Sequence, residues 1–187
     1  PKLIFTTPSH QHPTGRVMPV ARRTELLAAA EPGKTWIVED DYDGEFHYDS
    51  RPMPALQGLD REGRVLYLGT FAKAMTADIR IGYLVVPPSL AQTMEIAQRH
   101  LGLIASVHVQ EALTDFMADG HFLAHVRRMR RIYRARRDHL AAALARQLAP
   151  VLTAEVPPGG MQLIARFKDG AADQNAVSRL VAAGVEV

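Results

Sequence analysis

Three short stretches of this 187-residue sequence concentrate side chains that could do chemistry. The first is GTFAKAMTADIRIGY (69–83), which holds Lys73 between two apolar runs, VLYLG (65–69) and IGYLVV (81–86). Only four lysines occur, and three of them read as solvated charges: Lys2 near the start, Lys34 after Gly33 in a turn-like EPGK, and Lys168 in KDG. Lys73 differs in its neighbours. An amine enclosed in a partly desolvated pocket sheds its proton more readily, and a neutral amine attacks a carbonyl carbon. The competing reading is a surface lysine in a turn between two strands. The second stretch, TWIVEDDYDGEF (35–46), is an apolar strand that ends abruptly in Glu39, Asp40, Asp41 and Asp43 around Tyr42. A solvated acidic loop or a metal cluster would also use such residues, but no histidine spacing supports a metal. The third, TPSHQHPTG (7–15), is a polar turn after the apolar LIF. All three have the form of strand ends carrying polar groups, where open α/β sheets place their ligands.

The elements that would position these groups can be read coarsely. A strand covers 2–6, and a helix opened by Pro19 contains LLAAA. A strand over 35–39 is followed by a long loop to about residue 63. Strands 65–69 and 81–86 flank the lysine turn, and Pro87-Pro88 starts a helix. Helices fill roughly 89–118 and 121–148, punctuated by Gly120. After Pro157-Pro158-Gly159-Gly160, a strand near 161–167 and a helix near 173–183 begin a second, α+β unit. Strands alternating with helices imply a layered α/β sandwich.

Four segments, TPSHQHPTG, EDDYDGEFHYDSRPMPALQGLD (39–60), GTFAKAMTADIRIGY and GHFLAHVRRMRRIYRARRDHL (120–140), carry a joint resemblance. The chain resembles the aminotransferase-like domain of the MocR subfamily of GntR-type transcriptional regulators, a branch of fold type I pyridoxal-phosphate proteins. That resemblance implies an α/β/α sandwich for residues 1–120, as part of a large domain. Residues 121–187 would be a linking helix and the beginning of an α+β small domain.

It also implies roles. Lys73 matches the lysine that forms the internal aldimine with the aldehyde of pyridoxal 5'-phosphate. Asp40 matches the aspartate paired with the pyridinium nitrogen, which keeps the ring protonated as an electron sink. Tyr42, which projects to the side of Asp40 if the chain stays extended, matches the tyrosine near the cofactor's phenolic oxygen. Arg80 matches the phosphate-binding arginine, since a guanidinium fits phosphate bidentately, and Thr70 a hydroxyl donor to the same phosphate. Two departures matter. Asp78 stands two residues before Arg80, where pairing between them would weaken phosphate affinity. His12 occupies the place of the asparagine that ordinary aminotransferases carry before Pro-Thr-Gly, which favours the regulator branch and leaves His12 as a candidate cofactor contact.

The composition, 47% hydrophobic and 22% charged, is that of a globular chain too interrupted for a membrane-spanning helix. With no cysteine, disulfides and thiolate metal sites are excluded, and a cytoplasmic location is expected. The net charge is only +2, yet residues 127–137, RRMRRIYRARR, hold seven arginines. A nucleic-acid role competes here with a structural one. Phe122, Val126, Met129, Tyr133 and Leu140 recur at helical spacing and favour an amphipathic helix. By the resemblance, further segments would supply a winged helix-turn-helix that contacts DNA, additional phosphate donors, and an arginine for the substrate carboxylate. A homodimer and a small amino compound as effector or substrate are expected. Two functions follow: an effector-sensing domain of a regulator, or an active transaminase in which Lys73 also moves the α-proton. A folded remnant without cofactor is the third reading.

Overall fold

The computed structural model describes residues 1–49, 53–170 and 173–185; residues 50–52 of the quoted segment 39–60 lie outside these. Its main sheet has four strands in the order β1-β2-β3-β4: β1 Leu3–Thr6, β2 Trp36–Asp41, β3 Val65–Thr70 and β4 Gly82–Val85. The first three are parallel, and β4 runs antiparallel to β3. One face of this sheet holds the core. Leu27 and Ala30 from α1 (Val20–Ala29) and its end, Leu56 from α2 (Leu56–Leu59), and Ile37 and Val65 from the strands form a buried cluster, with Ile4 packed against it. On the opposite face of β1, Leu3 and Phe5 are exposed, as period-two alternation requires of residues flanking Ile4.

Parallel strands need long connections, and α1 supplies one of them. Pro19 sits at its N-cap with extended backbone, where the missing N–H costs nothing. The loop expected up to residue 63 contains the short α2. Between β3 and β4 lie the four-residue α3 (Phe71–Ala74) and a 3-10 turn, Ala77–Ile79.

The helical region after β4 is interrupted. α4 (Pro88–His100) and α5 (Val107–Ala118) are separated around Gly102, whose φ is +66°, a left-handed conformation that ends a helix. Gly120, with φ +78°, precedes α6 (His121–Gln147). This 27-residue helix buries Val126, packs Phe122 on Phe71 and sets Tyr133 edge-on to Phe46 at 5.1 Å. Leu140, placed on the apolar stripe by spacing, is 48% exposed. A second sheet pairs β5 (Leu152–Glu155) antiparallel to β6 (Ile164–Phe167), followed by α7 (Asp173–Ala182). β5 had no counterpart in the sequence reading, and β6 begins three residues later than expected because Gly159–Gln162 are bonded to the 42–47 segment. No helix among the described residues is long and apolar enough to cross a membrane.

Candidate functional site

The three chemistry-bearing segments leave the sheet at one edge. Thr6 pairs with Glu39, Asp40 with Leu68 and Asp41 with Gly69 in parallel register, while Thr70 pairs with Gly82 across the antiparallel ladder. The carboxyl ends of β1, β2 and β3 and the start of β4 therefore share the edge where ligands of open sheets bind.

Each carboxylate of the acidic strand end has a different fate. Glu39 is fully buried on the helix face. It accepts from the backbone N–H of Leu56 at 2.8 Å and Gln57 at 2.9 Å and pairs with Arg23 at 3.5 Å. Burial pushes the Glu39 carboxyl up, opposed by those N–H donors and by Arg23. Arg23, equally buried, donates to the carbonyls of Pro8, Met18 and Pro54, so one guanidinium ties the 7–15 loop to the sheet. Asp41 Oδ2 accepts from the Tyr67 hydroxyl at 2.7 Å, while its Oδ1 is buried with no partner among the described residues. Asp43 is buried against His10, Oδ1 lying 2.8 Å from Nδ1.

Asp40 alone in this run makes no hydrogen bond or ion pair among the described residues. It is half-buried, and its carboxyl is pushed up by burial first and then by Asp41 and Asp43. Alternation places it on the sheet face opposite Glu39. A half-buried carboxylate beside two others, with no donor of its own, is short of one positive charge.

The lysine turn is held by its backbone. Thr70 caps α3, its Oγ1 accepting from the N–H of Ala72 at 3.1 Å, and Thr76 caps the 3-10 turn in the same way through Asp78 N–H. The next residue after that turn, Arg80, has φ +48°, ψ +34° and is the one non-glycine residue with positive φ among those described. Such a conformation persists in a non-glycine residue only where its surroundings impose it. Here the pairing of Phe71 N–H with Ile81 C=O at 3.0 Å closes the turn. His125 of α6 supports the turn from outside, Nε2 donating to Ala74 C=O at 3.0 Å while Nδ1 accepts from Arg128 at 3.2 Å. Gly69 admits the ring of Tyr83, which a Cβ there would overlap.

Lys73 is exposed, which corrects the expectation of a partly desolvated pocket: α3 presents the amine outward, and none of the described side chains covers it. Asp78 and Arg80 form no ion pair among the described residues, so the competition for phosphate that such a pair would bring is not built. Arg80 is likewise exposed, with no ion pair among the described residues.

The 7–15 loop contributes differently from expectation. His12 sits exposed at its tip, with its backbone N–H 3.4 Å from Thr7 Oγ1 and no side-chain hydrogen bond or ion pair among the described residues. His10 is the buried histidine. It, Asp43 and the Gly159-Gly160-Met161 turn form one unit: Met161 N–H donates to Asp43 Oδ2 at 3.1 Å, and a Cβ on Gly159 would lie 2.7 Å from Phe46 O. β2 stops at Asp41, so strand alternation does not set the direction of Tyr42. Its hydroxyl donates to His10 C=O at 2.8 Å and lies 3.2 Å from Gln162 Oε1. Burial, then Asp43, Asp40 and Asp41, push the Tyr42 phenol up to about 12, which keeps it a donor at neutral pH. His10, Gln162 and His125 were missed by sequence reasoning, and nothing in their local sequence distinguishes them. Among the described residues no group of three acidic or histidine side chains could hold a metal.

A strand-edge site with an unpaired acid, a capped lysine turn and an unpaired arginine defines a class of protein, and residues 1–186 match one: the chain belongs to the class I and II aminotransferase family. It folds as that family's fold type I members do. It is similar to the kynurenine aminotransferase of Pyrococcus horikoshii, solved in complex with PMP, at 34% identity and a TM-score of 0.89, covering 98% of this chain and 46% of that one.

Within the family its likeness is to regulators of the MocR/GntR type. The chain is 47% identical over 174 residues to the probable rhizopine catabolism regulatory protein MocR of Rhizobium meliloti, covering 93% of this chain and 35% of that protein. With the HTH-type transcriptional regulator YhdI of Bacillus subtilis it shares 39% identity over 185 residues, 99% of this chain and 39% of that protein. The chain thus spans just over a third of the length of these relatives.

Proposed function

We propose that this chain is the lysine-bearing part of a pyridoxal 5'-phosphate-binding, effector-sensing domain of a MocR/GntR-type regulator. The observation that carries the reading is the shortage of charge at Asp40. Asp40 would be compensated by a protonated ring nitrogen, and Arg80, unpaired among the described residues, would compensate a phosphate. Lys73 would attach to the cofactor aldehyde, Asp40 would accept from the ring nitrogen, Thr70 and Arg80 would hold the phosphate, and Tyr42 would face the phenolic oxygen. When bound, the cofactor supplies an electrophilic carbon and an electron sink. His12 has the weakest support, standing at an exposed loop tip.

The chain's own residues do the rest. Asp40 stays ionised once a cation faces it, because an opposite charge favours the carboxylate that burial disfavours. The exposed Lys73 requires cover from elsewhere, either from the cofactor, from other segments of the whole protein, or from a second subunit of a homodimer. We place the division between large and small domains at residue 120, with α6 as the link. A small amino compound would be the effector, DNA would be contacted only through an N-terminal winged helix, and the protein would be cytoplasmic. A second reading, a working transaminase, is favoured by the likeness to the kynurenine aminotransferase. There Lys73 would also act as the base that moves the α-proton.

The test is to add pyridoxal phosphate to the full protein and to its Lys73→Ala variant and compare their visible absorbance. A cofactor band in the parent that is absent from the variant supports the reading, and equal spectra overturn it. Release of a 2-oxo acid from amino donors by the full protein would favour the transaminase over the pure sensor.

A further inference from the structure

A cavity of about 240 Å³ opens between α6 and the segment that leads into β6, away from the lysine turn. Tyr48, Tyr133, Leu140 and Met161 give it aromatic and aliphatic walls, and Arg136, Arg137 and Gln162 give it polar heads. No acidic side chain among the described residues lines it. The arginines of this helix are not equivalent. Arg134 and Arg137 are both consumed by Asp49, at 2.9 and 2.6 Å, and Arg137 also donates to Pro157 C=O at 2.7 Å. Arg136 has no ion pair among the described residues, yet it is not loose, since its guanidinium lies 5.9 Å from the centre of the Tyr133 ring. A cation held over an aromatic face at the mouth of a cavity is positioned for an anion. Gln162 presents a second donor. Its oxygen faces the Tyr42 hydroxyl at 3.2 Å, which leaves both amide N–H groups without a partner among the described residues. Tyr48 is fixed in the wall by its hydroxyl, which donates to Gly160 C=O at 2.8 Å.

The size narrows the occupant. An apolar cavity of about 150 Å³ accommodates benzene, so this one has room for a ring together with a carboxylate. Pockets that join mostly apolar walls to a few convergent polar groups are the usual form of small-molecule sites.

We propose that this cavity is a binding site for a small organic carboxylate with an aromatic or branched apolar body. The carboxylate lies on Arg136 and the Gln162 amide, and the body lies between Tyr48, Tyr133 and Met161. None of the proposed cofactor contacts lines the cavity, although Gln162 adjoins one of them, Tyr42, and the binding does not depend on pyridoxal phosphate.

The experiment uses the cofactor-free full protein labelled with 13C at its methionine methyl groups, the Met161 resonance being assigned with Met161→Leu. Phenylacetate should shift that resonance saturably. The neutral isostere phenylacetamide should bind roughly tenfold more weakly, the effect of removing one charge-assisted contact. Arg136→Met should lose a similar factor, while Arg131→Met, which removes the same charge from an exposed position outside the cavity, should bind as the parent does. A Met161 signal that does not move, equal affinity for the amide, or equal loss in both arginine variants would each overturn the proposal. Because Arg136 is exposed, an unchanged melting temperature in Arg136→Met separates lost binding from lost folding.

Discussion

The acidic strand end and the lysine turn meet at the same edge of the sheet but are built in opposite ways. At residues 39–43, side chains do the holding: Glu39 is locked by Arg23 and two backbone N–H groups, Asp41 by Tyr67, and Asp43 by His10 and Met161. At residues 70–80 the holding is local, through the Thr70 and Thr76 hydroxyls that cap backbone N–H groups and through the left-handed Arg80, while Lys73 and Arg80 have no side-chain partner among the described residues. A buried network, partnered except at Asp41 Oδ1, fixes the shape of the one side, and Asp40 alone in the run is left without a hydrogen bond or ion pair among the described residues. A locally held turn does not draw on its cations. The site thus separates the groups that hold geometry from those left available to a ligand.

The sharpest way to break this contrast is at Arg23. Arg23→Met leaves Glu39 ionisable and uncompensated while releasing three carbonyls, and should cost about 3–5 kcal/mol; urea unfolding would read it. On the lysine side the largest stability cost should come from a cap, not from a functional cation. Thr70→Ala should cost about 1 kcal/mol in the same assay, and a cost matching that of Arg23→Met would erase the distinction.

Arg80→Gly should leave stability unchanged or raise it by up to about 1 kcal/mol, since glycine relieves the left-handed strain, although it also adds freedom to the unfolded chain. Cofactor binding, followed by titration with pyridoxal phosphate, should fall sharply in that variant. A large loss of stability instead would make Arg80 a structural residue.

The smallest effect is expected at Asp40, whose charge is partly screened by water. Because its folded pKa is raised above the unfolded value, its contribution to stability is full below the unfolded pKa and is lost as pH rises through the folded one. Asp40→Asn does not titrate there. It should match the parent at acid pH and become the more stable of the two toward neutrality, while losing affinity for pyridoxal phosphate. Parallel stability curves across that range would remove the evidence for a missing counter-charge.

What the sequence disclosed follows the same division. Lys73, Thr70 and Arg80 stand in one contiguous turn, and Asp40 and Tyr42 at one strand end, so short motifs were enough to mark them as candidates. The order and type of most elements also followed from apolar runs and from proline and glycine punctuation. The side-chain network did not, because its pairs lie far apart in sequence: His10 and Asp43 by 33 residues, Ala74 and His125 by 51, Tyr42 and Gln162 by 120. No periodicity marks such pairs, and of the two histidines in SHQH the spacing gave no reason to prefer the buried one. The enclosure of Lys73 was inferred from flanking apolar runs, but those residues face along the strands and not over the turn.

The length of α6 carries a mechanical consequence. Near its start it grips the lysine turn through Phe122 and His125, and in its second half Arg137 grips the Pro157 turn ahead of β6. Twenty-seven helical residues span about 40 Å. A helix held near one end converts angle into travel, so a tilt of roughly 5° at the lysine turn would carry the far end about 3 Å. A lever of that length turns a small adjustment around Lys73 into a larger displacement at the other end of the helix.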